Sequence, residues 1–144
     1  MIQRVSSSSL YIEGSLISQI KKGLLVLIGI SKSDNMNMID KLIEKLLKLR
    51  IFEDENSKMN HSILDINGEI LLVSQFTLYA DTKKGNRPSF FQAAHPKNAE
   101  PIYNKFLEKL NVALGDKIKT GKFGAKMQVR LVNDGPVTII IENS

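Results

Sequence analysis

Gly23-Leu24-Leu25-Val26-Leu27-Ile28-Gly29-Ile30 is an unbroken apolar run of the kind expected for a strand buried on both faces. Residues 31–35 are polar, and Ser33, Asp34 or Asn35 could each cap a helix by accepting from its unpaired N–H groups. Beyond them Ile39, Leu42, Ile43, Leu46 and Leu47 recur at helical spacing, with Lys41, Glu44, Lys45 and Lys48 on the other side. That pattern predicts an amphipathic helix packed on a sheet. Residues 69–76 return to an apolar strand, so strand, helix and strand suggest a parallel, right-handed crossover.

On the N-terminal side, residues 1–8 and 10–20 read as two short strands with a turn at Glu13-Gly14. On the C-terminal side, residues 53–67 are polar and irregular, ending in a turn at Asn67-Gly68. Residues 82–96 form a long connection whose Phe90-Phe91 pair argues for docking against the domain. A second helix is expected over residues 98–112, with Ile102, Tyr103, Phe106, Leu107 and Leu110 on one face and Gly115 ending it. Residues 117–141 read as two or three strands, broken at residues 121–124 and at Gly135-Pro136. The expected fold is a single α/β domain over residues 1–144, element order ββ-(βα)2-βββ, in three layers β/β/α.

The chain has 144 residues, enough for one domain that buries about 70% of its unfolded surface. No run of 18 apolar residues and no N-terminal signal pattern is present, so no membrane span is expected. There is no cysteine, hence no disulfide or thiolate chemistry, which is compatible with a cytoplasmic setting. The net charge of +5 makes nucleic acid a reasonable partner, although solvated lysines on ordinary helix faces give the same total. Lys83, Lys84 and Arg87 cluster, as do Lys117, Lys119, Lys122 and Lys126.

Side-chain catalysis finds little support. His61 and His95 are the only imidazoles, each reads as a surface loop residue, and neither has zinc-site spacing. Ser74, His95 and Asp81 could be assembled into a triad, but no nucleophile elbow accompanies them. No phosphate loop or dinucleotide fingerprint appears, so neither metal nor cofactor is implied. Ser74, Gln75, Phe76 and Thr77 end a buried strand, where an α/β sheet usually places its crevice; they read equally as core and local caps. Thr77 has a nucleophile's hydroxyl but no base. In Asn133-Asp134-Gly135-Pro136-Val137-Thr138 the Gly-Pro pair suits a chain that leaves its ladder and aims carbonyl oxygens elsewhere, but Asp-Gly is a hairpin-turn dipeptide and the segment alone reads first as a plain turn.

Three segments together carry a resemblance: Ser74-Gln75-Phe76-Thr77-Leu78-Tyr79-Ala80-Asp81, Gly85-Asn86-Arg87-Pro88-Ser89-Phe90, and the Asn133 to Thr138 hexapeptide. With Ile2-Gln3-Arg4-Val5, Gly23-Leu24-Leu25-Val26, Leu49-Arg50-Ile51-Phe52 and Gly121-Lys122-Phe123-Gly124, in order, the chain resembles the D-aminoacyl-tRNA deacylases from residue 1 to about 141. The resemblance implies a homodimer in which a cis Gly135-Pro136 pair enters the partner's pocket. Its carbonyl oxygens would hold the substrate ammonium, and an L side chain would strike that backbone. Arg4 would brace the motif, although by itself it reads as a surface strand residue. N–H groups around Phe76 and Thr77 would stabilise the oxyanion, with the ribose 2′-hydroxyl assisting water. Phe123 and Met127 would contact the adenine; read alone, they are core filler. The side chain would point outward, giving broad D-specificity, and glycine, including glycyl-tRNA mischarged on tRNA(Ala), would be accepted. Two other readings use the same residues: a non-catalytic nucleic-acid-binding protein on the basic surface, and an esterase for free D-amino acid esters.

Overall fold

The computed structural model describes residues 1–143, so residue 144 of the expected domain lies outside the described residues. The chain runs β1 (Ile2–Ile12), β2 (Ser15–Ile20), β3 (Gly23–Ile28), α1 (Ile39–Lys48), β4 (Phe52–Glu53), β5 (Met59–His61), β6 (Glu69–Ser74), α2 (Pro96–Leu114), β7 (Ile118–Thr120) and β8 (Gln128–Ile139). β3 pairs in parallel with β6 from Gly23 opposite Glu69 to Ile28 opposite Ser74, and β6 pairs in parallel with β7. The strand–helix–strand crossover is therefore where the apolar run placed it.

The period of two along β3 and β6 sorts their side chains to opposite faces. Leu24, Val26, Ile70 and Leu72 face the helices and pack with Ile39, Ile43, Leu46, Tyr103, Phe106 and Leu110. Leu25, Leu71 and Val73 face the other way and join Val5, Leu10 and Ile20. Each such buried aliphatic contributes about 1.5–3 kcal/mol, so the strand reads as apolar throughout because both faces are covered. β2 curls toward the far side of the sheet, where the Ser18 hydroxyl donates to the Thr120 carbonyl at 2.7 Å. The sheet is barrel-like, with two helices on one face.

β1 joins the two halves. It pairs antiparallel with β3 through residues 2–5, with β2 through residues 8–12, and with β8 along its other edge. The expected end of the first strand at Ser8 is corrected: β1 runs on to Ile12 before the turn at Glu13 (φ 49°) and Gly14 (φ 79°). The serines do not break it because Ser8 is buried with its hydroxyl donated to the Arg130 carbonyl at 2.8 Å.

Other boundaries move for local reasons. Of the three proposed caps, Asn35 accepts from the Asn37 N–H, while Asp34 accepts from the Ser31 N–H. α2 starts two residues earlier than expected, because His95 caps it through Nδ1 to the Lys97 N–H and Pro96 fits the first position. His95 is thus a helix cap rather than a plain loop residue. Gly115 ends α2 at φ 58°. Residues 53–67, expected to be irregular, hold all but the first residue of the β4–β5 hairpin, whose strands are too short to show alternation. The loop before α2 is docked by backbone hydrogen bonds and by Phe90 against Phe76, while Phe91 is 72% exposed. The tail forms two strands, and Gly135-Pro136 interrupts the pairing of β8 rather than ending it.

Candidate active site

Two groups of residues singled out in the sequence are brought together, at separate places. The first surrounds a cleft of about 770 Å³ on the face of the sheet away from the helical core. Leu25, Leu27 and Val73 form its floor, Ser74, Gln75, Phe76 and Thr77 one wall, and Phe123 and Met127 another. The wall is positioned where β6 ends: the Gln75 N–H donates to the Ile28 carbonyl at 2.8 Å, and the chain then turns through a 3-10 segment, Phe76–Tyr79. Gly29 lets that segment close on β3, since a Cβ there would lie 3.1 Å from Leu78 Cβ and 3.3 Å from the Gln75 carbonyl oxygen.

The first N–H groups of that turn, on Phe76 and Thr77, precede its first internal bond, from the Leu78 N–H to the Gln75 carbonyl. Gln75 gives them no side-chain cap; its amide donates instead to the Thr77 hydroxyl at 3.1 Å. The two uncapped backbone donors belong to residues that line a concave, mostly apolar space. Phe76 is 59% exposed and meets Phe90 edge-on, ring centroids 5.1 Å apart. Across the cleft Phe123 leans on Tyr103 at 5.3 Å, and burial raises the Tyr103 phenol pKa. Met127 is seated over Gly121, where a Cβ would come within 2.4 Å of its sulfur.

Among the described residues no Asp, Glu, His, Lys, Arg or Tyr lines the cleft. The triad is not assembled either. His95 uses its ring nitrogen as a cap, and the Asp81 carboxylate accepts from the Lys83 N–H. What the cleft offers chemically is backbone N–H, one hydroxyl pair, an amide and apolar walls. Leu25 and Leu27 were missed as lining residues because a strand covered on both faces gives no signal of which face is open, and Val129 and Leu131 because they reach the cleft only through the pairing of β8 with β1.

The second group lies where β8 leaves β1. Val5 pairs with Asn133 and Gln3 with Thr138, so residues 134–137 bulge out of the ladder. Both ends of the bulge are tied to Gln3, whose Oε1 accepts from Asn133 Nδ2 at 2.9 Å and from the Thr138 hydroxyl at 2.6 Å. Arg4, 4% exposed, holds the middle: Nε donates to the Asp134 carbonyl at 2.9 Å and Nη1 to the Ile51 carbonyl at 2.7 Å. The Asp134 and Glu53 carboxylates lie 3.6 and 3.8 Å from the guanidinium. Arg4 is therefore a buried residue, not a surface one. The Gly135-Pro136 peptide is cis, and both residues are exposed while Val137 is buried. Arg4, Gly135 and Pro136 do not line the cleft of their own chain.

The family model described as D-Tyr-tRNA(Tyr) deacylase matches residues 1–142. Proteins named D-aminoacyl-tRNA deacylase from Flavobacterium psychrophilum and Thermosipho africanus are 55% and 52% identical, each alignment covering 99% of this chain and 95% of the relative. A solved structure titled c-Myc DNA Unwinding Element Binding Protein superposes with a TM-score of 0.94 at 46% identity, over 99% of this chain and 97% of that one. A second, titled as a probable eukaryotic D-amino acid tRNA deacylase, shares the fold with a TM-score of 0.79 at 19% identity, over 94% and 93%. With residues 1–142 matched and these two relatives above half identity, the chain belongs to the D-Tyr-tRNA(Tyr) deacylase family.

Proposed function

We propose that this chain hydrolyses the ester of D-aminoacyl-tRNA, releasing the D-amino acid and the tRNA, and that its catalytic groups are main-chain. The observation that carries this is a cleft without titratable side chains but with two uncapped N–H groups, on Phe76 and Thr77, at its wall. Such donors are worth about 3 kcal/mol each when aimed at a developing oxyanion. Water attacks the ester with help from the 2′-hydroxyl of the terminal ribose, and Ser74 and Gln75 orient the turn. Phe123 and Met127 hold the adenine, where an aromatic contact is worth about 1–3 kcal/mol.

Gly135 and Pro136 act in the cleft of a second copy, since they are exposed on the bulge and absent from their own cleft. A homodimer is the unit of function, each copy acting as one domain and working in the cytoplasm, where aminoacyl-tRNA is formed. The two carbonyl oxygens take the substrate ammonium; an L side chain collides with the backbone that carries them. Glycine has no side chain to collide, so glycyl-tRNA mischarged on tRNA(Ala) is a substrate too. No metal or cofactor enters this chemistry.

The test compares D-tyrosyl-tRNA with L-tyrosyl-tRNA, in wild type and in Gly135→Ala. A Cβ on Gly135, at φ 133°, would lie 2.8 Å from Val137 Cγ2 and 3.2 Å from Arg4 Nη2, so the bulge must shift. Wild type should cleave only the D-ester, and the variant should lose about tenfold in rate or in D-over-L preference. Equal or absent cleavage of both esters by wild type would sink the reading. Thr77→Ala probes the main-chain mechanism directly. It should retain activity within about tenfold, because the N–H group stays; a loss of about 10³-fold or more, as for a removed nucleophile, would contradict it.

A second reading has its own observation. The chain carries exposed cations at Lys83, Lys84, Arg87, Lys122 and Lys126, and the protein it superposes on at 46% identity is named for DNA binding. Salt-sensitive nucleic-acid binding without ester turnover would favour it.

A further inference from the structure

A strip of exposed aromatic and basic side chains borders the cleft without lining it. The segment before α2 is laid along the end of β3: the Lys32 N–H donates to the Gln92 carbonyl at 3.0 Å and the Ala94 N–H to the Ile30 carbonyl at 2.9 Å. Ile30 and Pro96 both line the cleft, so this segment is its rim. Asp81 and Ser89 exchange both backbone hydrogen bonds, at 2.7 and 2.9 Å, which closes residues 82–88 into a lobe.

Phe91 stands on the rim, 72% exposed, with the Lys32 ammonium 3.5 Å from the ring centroid. Its chain neighbour Phe90 touches Phe76, which lines the cleft, so an aromatic pair ties the cleft wall to the segment that carries Phe91. Residues 82–91 carry Lys83, Lys84 and Arg87 and no acidic residue, and all three cations are exposed. The Asp81 carboxylate accepts from the Lys83 N–H and the Asp34 carboxylate from the Ser31 N–H. Aromatic faces beside cations, on a track leading out of a cleft, are what single-stranded nucleic acid requires: bases stack on the rings and phosphates meet the ammonium groups.

We propose that Phe91 and Lys32, with Lys83, Lys84 and Arg87, hold the single-stranded nucleotides that precede the terminal adenosine of the tRNA. The inference rests on the reading of the cleft given above. A base takes the face of Phe91 that the ammonium now covers, and Lys32 moves onto that nucleotide's phosphate. The cation–π contact keeps Lys32 in place until then. Stacking of this kind is indifferent to base identity, which suits a tail shared by all tRNAs.

The experiment compares D-tyrosyl-tRNA with D-tyrosyl-adenosine, which has the ester and the terminal nucleoside but no preceding nucleotides. Phe91→Leu keeps apolar bulk and removes the flat ring; Lys32→Gln keeps length and removes the charge. Each should lower kcat/KM about tenfold on the tRNA ester and leave the adenosine ester within about twofold of wild type. Lys32→Gln should also make the salt dependence on tRNA shallower, by about 0.7 in the log–log slope. Equal losses on both substrates, no loss on either, or dissociation of a dimer on Phe91→Leu, read by sedimentation, would each overturn this proposal alone. Wild-type protein inert toward both esters would overturn the reading of the cleft and this inference with it.

Discussion

Arg4→Met is expected to cost about 3 kcal/mol of folding stability and to erode the preference for D-esters. The guanidinium is buried and bridges two carbonyls from distant parts of the chain, Ile51 after α1 and Asp134 at the start of the bulge. Methionine fills the volume of the stem but offers no donor, so both carbonyls lose their partner, and hydrogen bonds to a charged group are worth about 1.5–3 kcal/mol each. Arg4→Lys should recover little, since one ammonium cannot reproduce two donors diverging from a planar fork. Thermal denaturation should show a midpoint lower by about 6–12 °C for a chain of this size. The D-over-L rate ratio should fall with it, because the bulge that presents Gly135 and Pro136 loses its central tie. A variant with unchanged midpoint and unchanged ratio would show that Gln3 and the β1–β8 ladder hold the bulge without Arg4.

Gly23→Ala should be worse for the fold, costing about 4 kcal/mol or more and leaving little soluble protein. Gly23 opens β3 directly opposite Glu69, and a Cβ there would fall 1.8 Å from the Glu69 carbonyl oxygen and 2.8 Å from its carbonyl carbon and nitrogen. All three are main-chain atoms, so no side chain can turn aside. The two strands must splay at the start of the parallel pair that carries the cleft floor. Gly14→Ala is the matched control: it meets nothing within 4 Å and suffers only from its positive φ, a loss of about 1 kcal/mol. Soluble yield and chemical denaturation of the two variants measure the difference. Similar stabilities would mean that β3 and β6 can separate at Gly23 without consequence.

Much of the architecture was legible because its signals are local. The β3–α1–β6 crossover follows from an apolar run, a helical repeat and a second apolar run, all within about fifty consecutive residues. The turn at Glu13-Gly14 and the stop at Gly115 follow from backbone conformations that few residues adopt. Where the reading erred, a distant partner had intervened. The serines of β1 stay in a strand because β8, more than a hundred residues later, supplies the Arg130 carbonyl to Ser8. The β4–β5 hairpin is held by pairing between Phe52 and His61 that no alternation announces.

The candidate site divides along the same line. Ser74 to Thr77 could be placed at a strand end, and the Gly135-Pro136 pair at a departure from a ladder, from residue types alone. Strand ends and proline positions are properties of a few neighbouring residues. That Ser74 to Thr77 share a cleft with Phe123 and Met127, and that Arg4 is buried beneath a bulge more than 120 residues away, could not be read there. Those facts depend on strand register: one residue of slip in β1 would turn Arg4 to the opposite face, away from the bulge it braces. Chain chemistry named the parts, and the pairing of β1 with β8 and of β3 with β6 set which of them meet.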